Sequence, residues 1–171
     1  MTTRIALIGI CTAVLLAIAL PAGDAAAQQK SLKDQLIGPW TVVSVTLDQG
    51  GNKSEPFGPK PAGVFLFDAG GHFTTHITRP GRPKFVSNNR EAGTADENKA
   101  AVQGTISNFG TYTVNEADKS VSLHIVGSSF PNWDSTDQKR LAAITGDEMK
   151  WTNPTSSTGS GSALVVLKRA K

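Results

Sequence analysis

Short runs of β-branched and aromatic residues, each followed by residues that favour turns, constrain the fold of this chain most. Residues 40–47 form one such run, and residues 48–52 supply turn chemistry directly after it. Three hairpins are predicted in the same way, because glycine-rich or polar turns separate paired runs. The predicted pairs are 63–67 with 72–78, 109–114 with 121–126, and 138–145 with 148–152, followed by a last strand at 163–168.

Helix is predicted in only two places, residues 32–37 and residues 92–103. In the second segment acidic residues precede a basic one, which suits the helix dipole, and it falls between the predicted strands 72–78 and 109–114. Continuous apolar strands typical of a parallel sheet are absent from the sequence. We therefore predict an all-β fold, a closed antiparallel β-barrel of about eight strands with one short crossover helix, since closure removes exposed sheet edges.

The first residues have the pattern of a secretory signal peptide. Arg4 precedes an apolar run, residues 5–20, and the small residues 25–27 provide a cleavage site after Ala27. The run is shorter than the ~20 residues that span a membrane, so we expect cleavage rather than an uncleaved anchor and no stable membrane span afterwards. Residues 1–27 are thus the predicted signal peptide and residues 28–171 a single domain. The predicted location is periplasmic or secreted.

Composition excludes several classes of function. The formal net charge is only +3, and the basic residues are scattered except in residues 79–84, so nucleic acid is not an expected partner. The only cysteine, Cys11, lies in the predicted signal peptide, so the exported domain must be stable without disulfides. No nucleophile elbow, phosphate-binding loop or paired carboxylates support a hydrolase. We expect a monomer with no cofactor and no metal.

Several segments occur in the order found in the bacterial and fungal lipocalin-like domain family. They are Gly38-Pro39-Trp40, residues 56–63, residues 110–114, His124, residues 130–133 and residues 136–140. The chain resembles this family from about Leu36 to Lys168. The resemblance implies a small antiparallel barrel whose interior holds one small, mostly apolar molecule. Residues 79–104 depart from the family pattern, and we expect them to form a lid.

Three residues are predicted to have structural roles. Trp40 should point inward at the closed end of the barrel, where its indole N–H needs a partner. Arg169 follows the last predicted strand, and in many lipocalins a basic residue lies across this tryptophan ring in a cation–π contact. Arg140 is a second candidate for the same position.

His124 is the strongest candidate for chemistry, because strand alternation places it on the face opposite Leu123 and Ile125. If that face lined the cavity, the imidazole would orient a ligand or move a proton, with Asp137 as its acid/base partner. Trp133 lies in an aromatic loop and would either gate the barrel or plug it. The full set of predicted ligand contacts is His124, Tyr112, Trp133, Phe65, Phe109, Ser44 and His76.

Three functions follow from these residues. The preferred hypothesis is an exported barrel that binds a small hydrophobic or amphipathic molecule in its interior. The second is a cavity isomerase or cyclase that uses His124 and Asp137. The third is a structural envelope barrel filled by its own aromatic residues. A three-histidine zinc site formed by His72, His76 and His124 is a further alternative, against which no cysteine and few carboxylates lie nearby in the sequence.

Overall fold

The computed structural model describes residues 30–171, which form mainly β-strands. The predicted signal peptide and Cys11 lie outside the described residues. One short helix, α1 (Leu32–Leu36), precedes the strands, and a second, α2 (Ala95–Gln103), lies between the fourth and fifth strands. The strands are β1 (Gly38–Gln49), β2 (Asn52–Ser54), β3 (Ala62–Phe67), β4 (His72–Thr78), β5 (Thr105–Asn115), β6 (Ser120–Ser128), β7 (Thr136–Thr145), β8 (Glu148–Asn153) and β9 (Ser162–Arg169).

The strands form a closed antiparallel barrel. From β3 to β9 each strand pairs with the next one in the sequence, and β1 pairs with both β3 and β9, which closes the barrel. Eight strands thus make the wall, and β2 is an additional short strand paired with the far end of β1. This arrangement confirms the predicted fold. Within residues 30–171, neither helix has the length and apolar character needed to cross a membrane.

The barrel end that contains Trp40 is filled by side chains. The Trp40 ring is fully buried, and its indole Nε1 donates to the Leu36 carbonyl oxygen at 2.8 Å. Leu32 and Leu36 of α1 are also buried, so the helix covers this end of the barrel. The N-terminus of α1 is held by Glu116, whose carboxylate accepts from the backbone N–H of Leu32 and of Lys33.

Arg169 fixes the end of β9 to the start of β1. Its guanidinium carbon lies 4.2 Å from the centre of the Trp40 ring, which is the expected cation–π contact. Its two terminal nitrogens donate to the carbonyl oxygens of Ile37, at 3.2 Å, and Gln35, at 2.8 Å. Arg169 thereby satisfies carbonyl groups that the short helix α1 leaves without backbone partners.

Helix α2 is the predicted crossover between the strands now numbered β4 and β5, although it begins three residues later than the predicted segment. Thr94 and Glu97 form a capping box, in which each side chain accepts from the backbone N–H of the other. The Glu97 carboxylate also accepts from the backbone N–H of Val86 at 2.8 Å. These backbone N–H donors hold the pKa of Glu97 below its usual value.

Replacement of Arg169 by methionine should lower the free energy of unfolding by about 2 kcal/mol, because the charged hydrogen bonds and the cation–π contact are both lost. Chemical denaturation at neutral pH measures this change. Lys168→Met is the matched control, since Lys168 is the exposed neighbouring residue on the same strand. An equal loss of stability in both variants would contradict a specific role of Arg169.

Candidate ligand-binding cavity

The barrel contains a cavity of about 480 Å³. This volume is within the range of small-molecule sites, which is roughly 300–1,000 Å³. The cavity lies away from the filled end of the barrel. It is lined by Leu47 and Ile77, which lie at the ends of β1 and β4 farthest from Trp40. The residues of the filled end, Trp40, Leu36 and Phe67, do not line it. The barrel is therefore not filled by its own side chains. This finding argues against the third hypothesis, a structural envelope barrel filled by its own aromatic residues.

Aromatic rings form the inner wall between the cavity and the filled end. Phe65 and Trp151 line the cavity, and their ring centres lie 6.0 Å apart in an edge-to-face arrangement. Behind them, Phe67 contacts Trp151 at 5.4 Å and Tyr112 at 5.2 Å between ring centres. Such aromatic contacts stabilise this part of the wall.

The open part of the cavity is bordered by two segments that are not strands. Residues 130–133 include a 3₁₀ turn, and Phe130 and Trp133 pack edge to face at 5.7 Å. Val102 and Gln103, at the end of α2, also line the cavity, and Val102 is exposed. The segment predicted as a lid thus contributes residues to the cavity border.

Arg140 is a buried cation in the cavity wall. Its side chain comes from β7, and only 5% of the residue is exposed. One terminal nitrogen donates to the Lys139 carbonyl oxygen at 2.9 Å, and the other donates to the side-chain oxygen of Gln138. The guanidinium carbon lies 5.6 Å from the centre of the Trp133 ring, a cation–π distance.

The charge of Arg140 has no acidic partner in the described part of the chain. The ion pairs found among residues 30–171 involve other residues. Burial lowers the pKa of Arg140 from its usual value to about 10. Because the pKa is lowered, the charged form of Arg140 is less stable in the native state than in the unfolded chain. At neutral pH the charge of Arg140 therefore lowers the free energy of unfolding.

A chain of polar side chains on β7 holds Arg140 in place. Gln138 accepts from Arg140 and donates through its amide nitrogen to the Thr136 hydroxyl at 3.1 Å. The Thr136 hydroxyl donates in turn to the Trp133 carbonyl oxygen at 2.7 Å. The orientation of the guanidinium is therefore tied to the loop that borders the cavity.

Two of the predicted ligand contacts lie in the cavity. Phe65 is part of its aromatic wall and Trp133 is part of its border. Trp133 is half-buried and packs on Arg140, so it partly covers the cavity without filling it. Contact of either residue with a ligand stays a prediction.

The structure corrects the placement of His124, His76 and Phe109. All three residues are exposed, so their side chains point outward. For His124 the reason is strand alternation, because its neighbours Leu123 and Ile125 are buried and face the interior. His124 does pair with Asp137, with 2.8 Å between Nδ1 and Oδ1, but both side chains are on the outer surface. A cavity enzyme that uses this pair is therefore not supported.

Tyr112 and Ser44 are also away from the cavity lining. The Tyr112 hydroxyl donates to the Asp68 carbonyl oxygen at 2.8 Å, so the protein itself satisfies this group. Burial raises the pKa of Tyr112. Ser44 is half-buried beside a bulge in β1 and does not line the cavity. Neither hydroxyl is placed to orient a ligand there.

The histidines are dispersed over the outer surface. His72 pairs with Asp68 at 3.0 Å, and His124 pairs with Asp137. Across residues 30–171, no group of three or more histidine, cysteine, aspartate or glutamate side chains could hold a metal ion. The structure does not support the alternative of a three-histidine zinc site.

Arg140 is the cavity residue that sequence reasoning assigned to a different role. It was predicted as a rival of Arg169 at the Trp40 ring, but it contacts Trp133 instead. A signal was present in β7, where Arg140 alternates in step with Gln138 and Ala142, so that a charge occupies the same face as an interior alanine. A polar residue at an interior position is a recognised mark of a functional site.

The fold and cavity together define a barrel of the ligand-binding type, with eight antiparallel strands, one filled end and an interior chamber. A sequence model described as a lipocalin-like domain matches residues 37–170. The chain therefore belongs to the lipocalin-like domain family. No curated protein sequence matches this chain.

Replacement of Arg140 by methionine should raise the free energy of unfolding of the ligand-free protein by roughly 1 kcal/mol. The substitution removes a buried charge without an acidic partner and keeps a long apolar side chain, which outweighs the loss of two hydrogen bonds. Denaturant unfolding of both proteins at neutral pH measures the difference.

Arg169→Met is the contrasting variant, because that arginine also covers a tryptophan ring but has an acidic residue nearby, Asp147 at 3.9 Å. If Arg140→Met destabilised the barrel as much as Arg169→Met does, the assignment of Arg140 as a cost to folding would be refuted.

Proposed function

We propose that this protein is exported and binds one small hydrophobic or amphipathic molecule inside its barrel. The observation that carries the proposal is the 480 Å³ cavity, whose walls are mainly apolar and aromatic. Burial of an apolar ligand against such walls is favourable by about 25 cal/mol for each Å² removed from water. The preformed aromatic wall also limits the conformational entropy that binding costs.

Polar side chains also line the same cavity and would orient the ligand. Asn108 donates from its amide nitrogen to the Thr75 hydroxyl at 2.9 Å and accepts from Ser128, so its position is fixed on both sides. Arg140 and Asn153 are buried on two neighbouring strands. Apolar walls with a small number of positioned polar groups are typical of binding sites for small molecules.

A cavity-filling variant tests binding. Ala163 lines the cavity on β9, so Ala163→Phe should place a ring inside the barrel and weaken binding of decanol by at least about tenfold. The fluorescence of Trp133 and Trp151, which both line the cavity, reports binding in a titration.

Ala143→Phe is the matched control, because Ala143 is exposed on the outer face of β7. It adds the same ring outside the barrel and should leave decanol affinity unchanged, with circular dichroism confirming that both variants are folded. Absence of binding by the unmodified protein to decanol and to a neutral fluorescent dye such as N-phenylnaphthylamine would reject the proposed function.

The export part of the proposal rests on the sequence pattern of residues 1–27. Intact-mass measurement of the protein isolated from its producing cells should give the mass of a chain that begins at Gln28. Replacement of Ala25 and Ala27 by glutamine should block this processing, because the cleavage site requires small residues. Recovery of the unprocessed chain from the original sequence would contradict cleavage.

A further inference from the structure

The charges that line the cavity are all positive. Arg79 and Arg140 are its only charged residues within the described part of the chain, and no aspartate, glutamate, lysine or histidine of residues 30–171 lines it. Arg79 is exposed at the border, where its guanidinium donates to the Pro56 carbonyl oxygen. Arg140 is buried. An anion inside the cavity would therefore meet attraction and no opposing negative charge.

The hydrogen-bond partners of Arg140 leave its charge uncompensated. The Lys139 carbonyl and the Gln138 amide oxygen are both neutral acceptors. A guanidinium has five N–H donors. Among the residues that the structure describes, the Lys139 and Gln138 oxygens are the only two acceptors for Arg140. A bound anion would supply the acidic partner that this buried cation lacks.

A second donor lies beside this cation. Leu141 pairs with Thr152, so the antiparallel register places Arg140 opposite Asn153 on the two neighbouring strands. Asn153 is buried and lines the cavity, and its side-chain oxygen accepts from the backbone N–H of Thr155 at 3.2 Å. Its amide nitrogen has no acceptor within residues 30–171, so it is available to a ligand oxygen.

We propose that the ligand is an amphiphile with a single carboxylate, which Arg140 binds while the apolar body lies against Phe65, Trp151 and Val165. Guanidinium and carboxylate match in geometry, because two parallel N–H···O bonds form between them. The three apolar residues line the same cavity. This inference rests on the proposed function and adds the chemical class of the ligand.

The single buried cation favours a monoanion over a phosphate monoester. Phosphate monoesters carry a charge of about −1.5 to −2 at neutral pH, so one guanidinium would leave buried negative charge uncompensated. A carboxylate balances Arg140 one to one. The position of Gln138, Thr136 and Trp133 fixes the guanidinium before the ligand arrives, which reduces the entropy cost of forming the pair.

Three ligands of equal chain length test this inference: decanoate, decanol and decyl phosphate. Isothermal titration of the mature protein at neutral pH should give a Kd for decanoate about ten- to a hundredfold lower than that for decanol, the gain expected of charged hydrogen bonds. Decyl phosphate should bind more weakly than decanoate. These comparisons use the unmodified protein and do not depend on whether a variant folds.

Two variants of Arg140 test whether this residue causes the preference for decanoate over decanol. Arg140→Met should abolish the preference, so that decanoate binds no more tightly than decanol, and Arg140→Lys should retain part of the preference because it keeps the charge but not the two parallel donors. Lys150→Gln is the matched control, since it removes one positive charge from the exposed face of β8. It should leave all three affinities unchanged.

Each other outcome has a definite meaning. Equal binding of decanoate and decanol, or a preference that persists in Arg140→Met, would overturn the carboxylate inference while the proposed function stands. Tighter binding of decyl phosphate than of decanoate would overturn the choice of a monoanion. Failure of all three ligands to bind would reject the inference together with the proposed function.

Discussion

The pairing of β1 with β9 is the interaction on which the rest of this structure depends. It joins the first and last strands of the wall and so converts an open sheet into a barrel with an interior. Arg169 secures the closure, because it covers Trp40 and donates to carbonyl groups that precede β1. Opening at this seam would expose two strand edges and the buried faces of both strands to water, so closure and formation of the core are one event.

The two ends of the barrel use the same side-chain types for different purposes. At the filled end an arginine lies on a tryptophan and its donors reach backbone carbonyls, which stabilises the helix end. In the cavity wall another arginine lies near a tryptophan, but its charge is buried and its hydrogen-bond acceptors are neutral. Folding alone does not favour the second arrangement, since an uncompensated buried charge is costly. The bound anion proposed above would offset this cost.

Much of the wall was predictable from local pattern, and much of the cavity was not. The hairpins follow from β-branched runs separated by turn residues, and the predicted 72–78 strand coincides with β4. β2 was not predicted, because Asn52–Ser54 contains no apolar residue. This segment is a strand because it pairs with the end of β1, which the local sequence does not reveal. Alternation correctly placed His124 on the strand face opposite Leu123 and Ile125. The structure shows that Leu123 and Ile125 face the interior, so His124 faces outward. Phe109 faces outward although it is aromatic, and its ring occupies the space that Gly127 leaves open.

The sequence by itself determined the strand pattern, the antiparallel class and the family resemblance, because these depend on short-range periodicity and on motifs that are contiguous in the chain. Tertiary structure decided which charges face inward. Arg140 and His124 both lie on strands with two alternating faces, and the assembled barrel shows that Arg140 lines the cavity whereas His124 meets solvent. The physical reason is that alternation divides a strand into two faces, while the neighbouring strands decide which face becomes the interior.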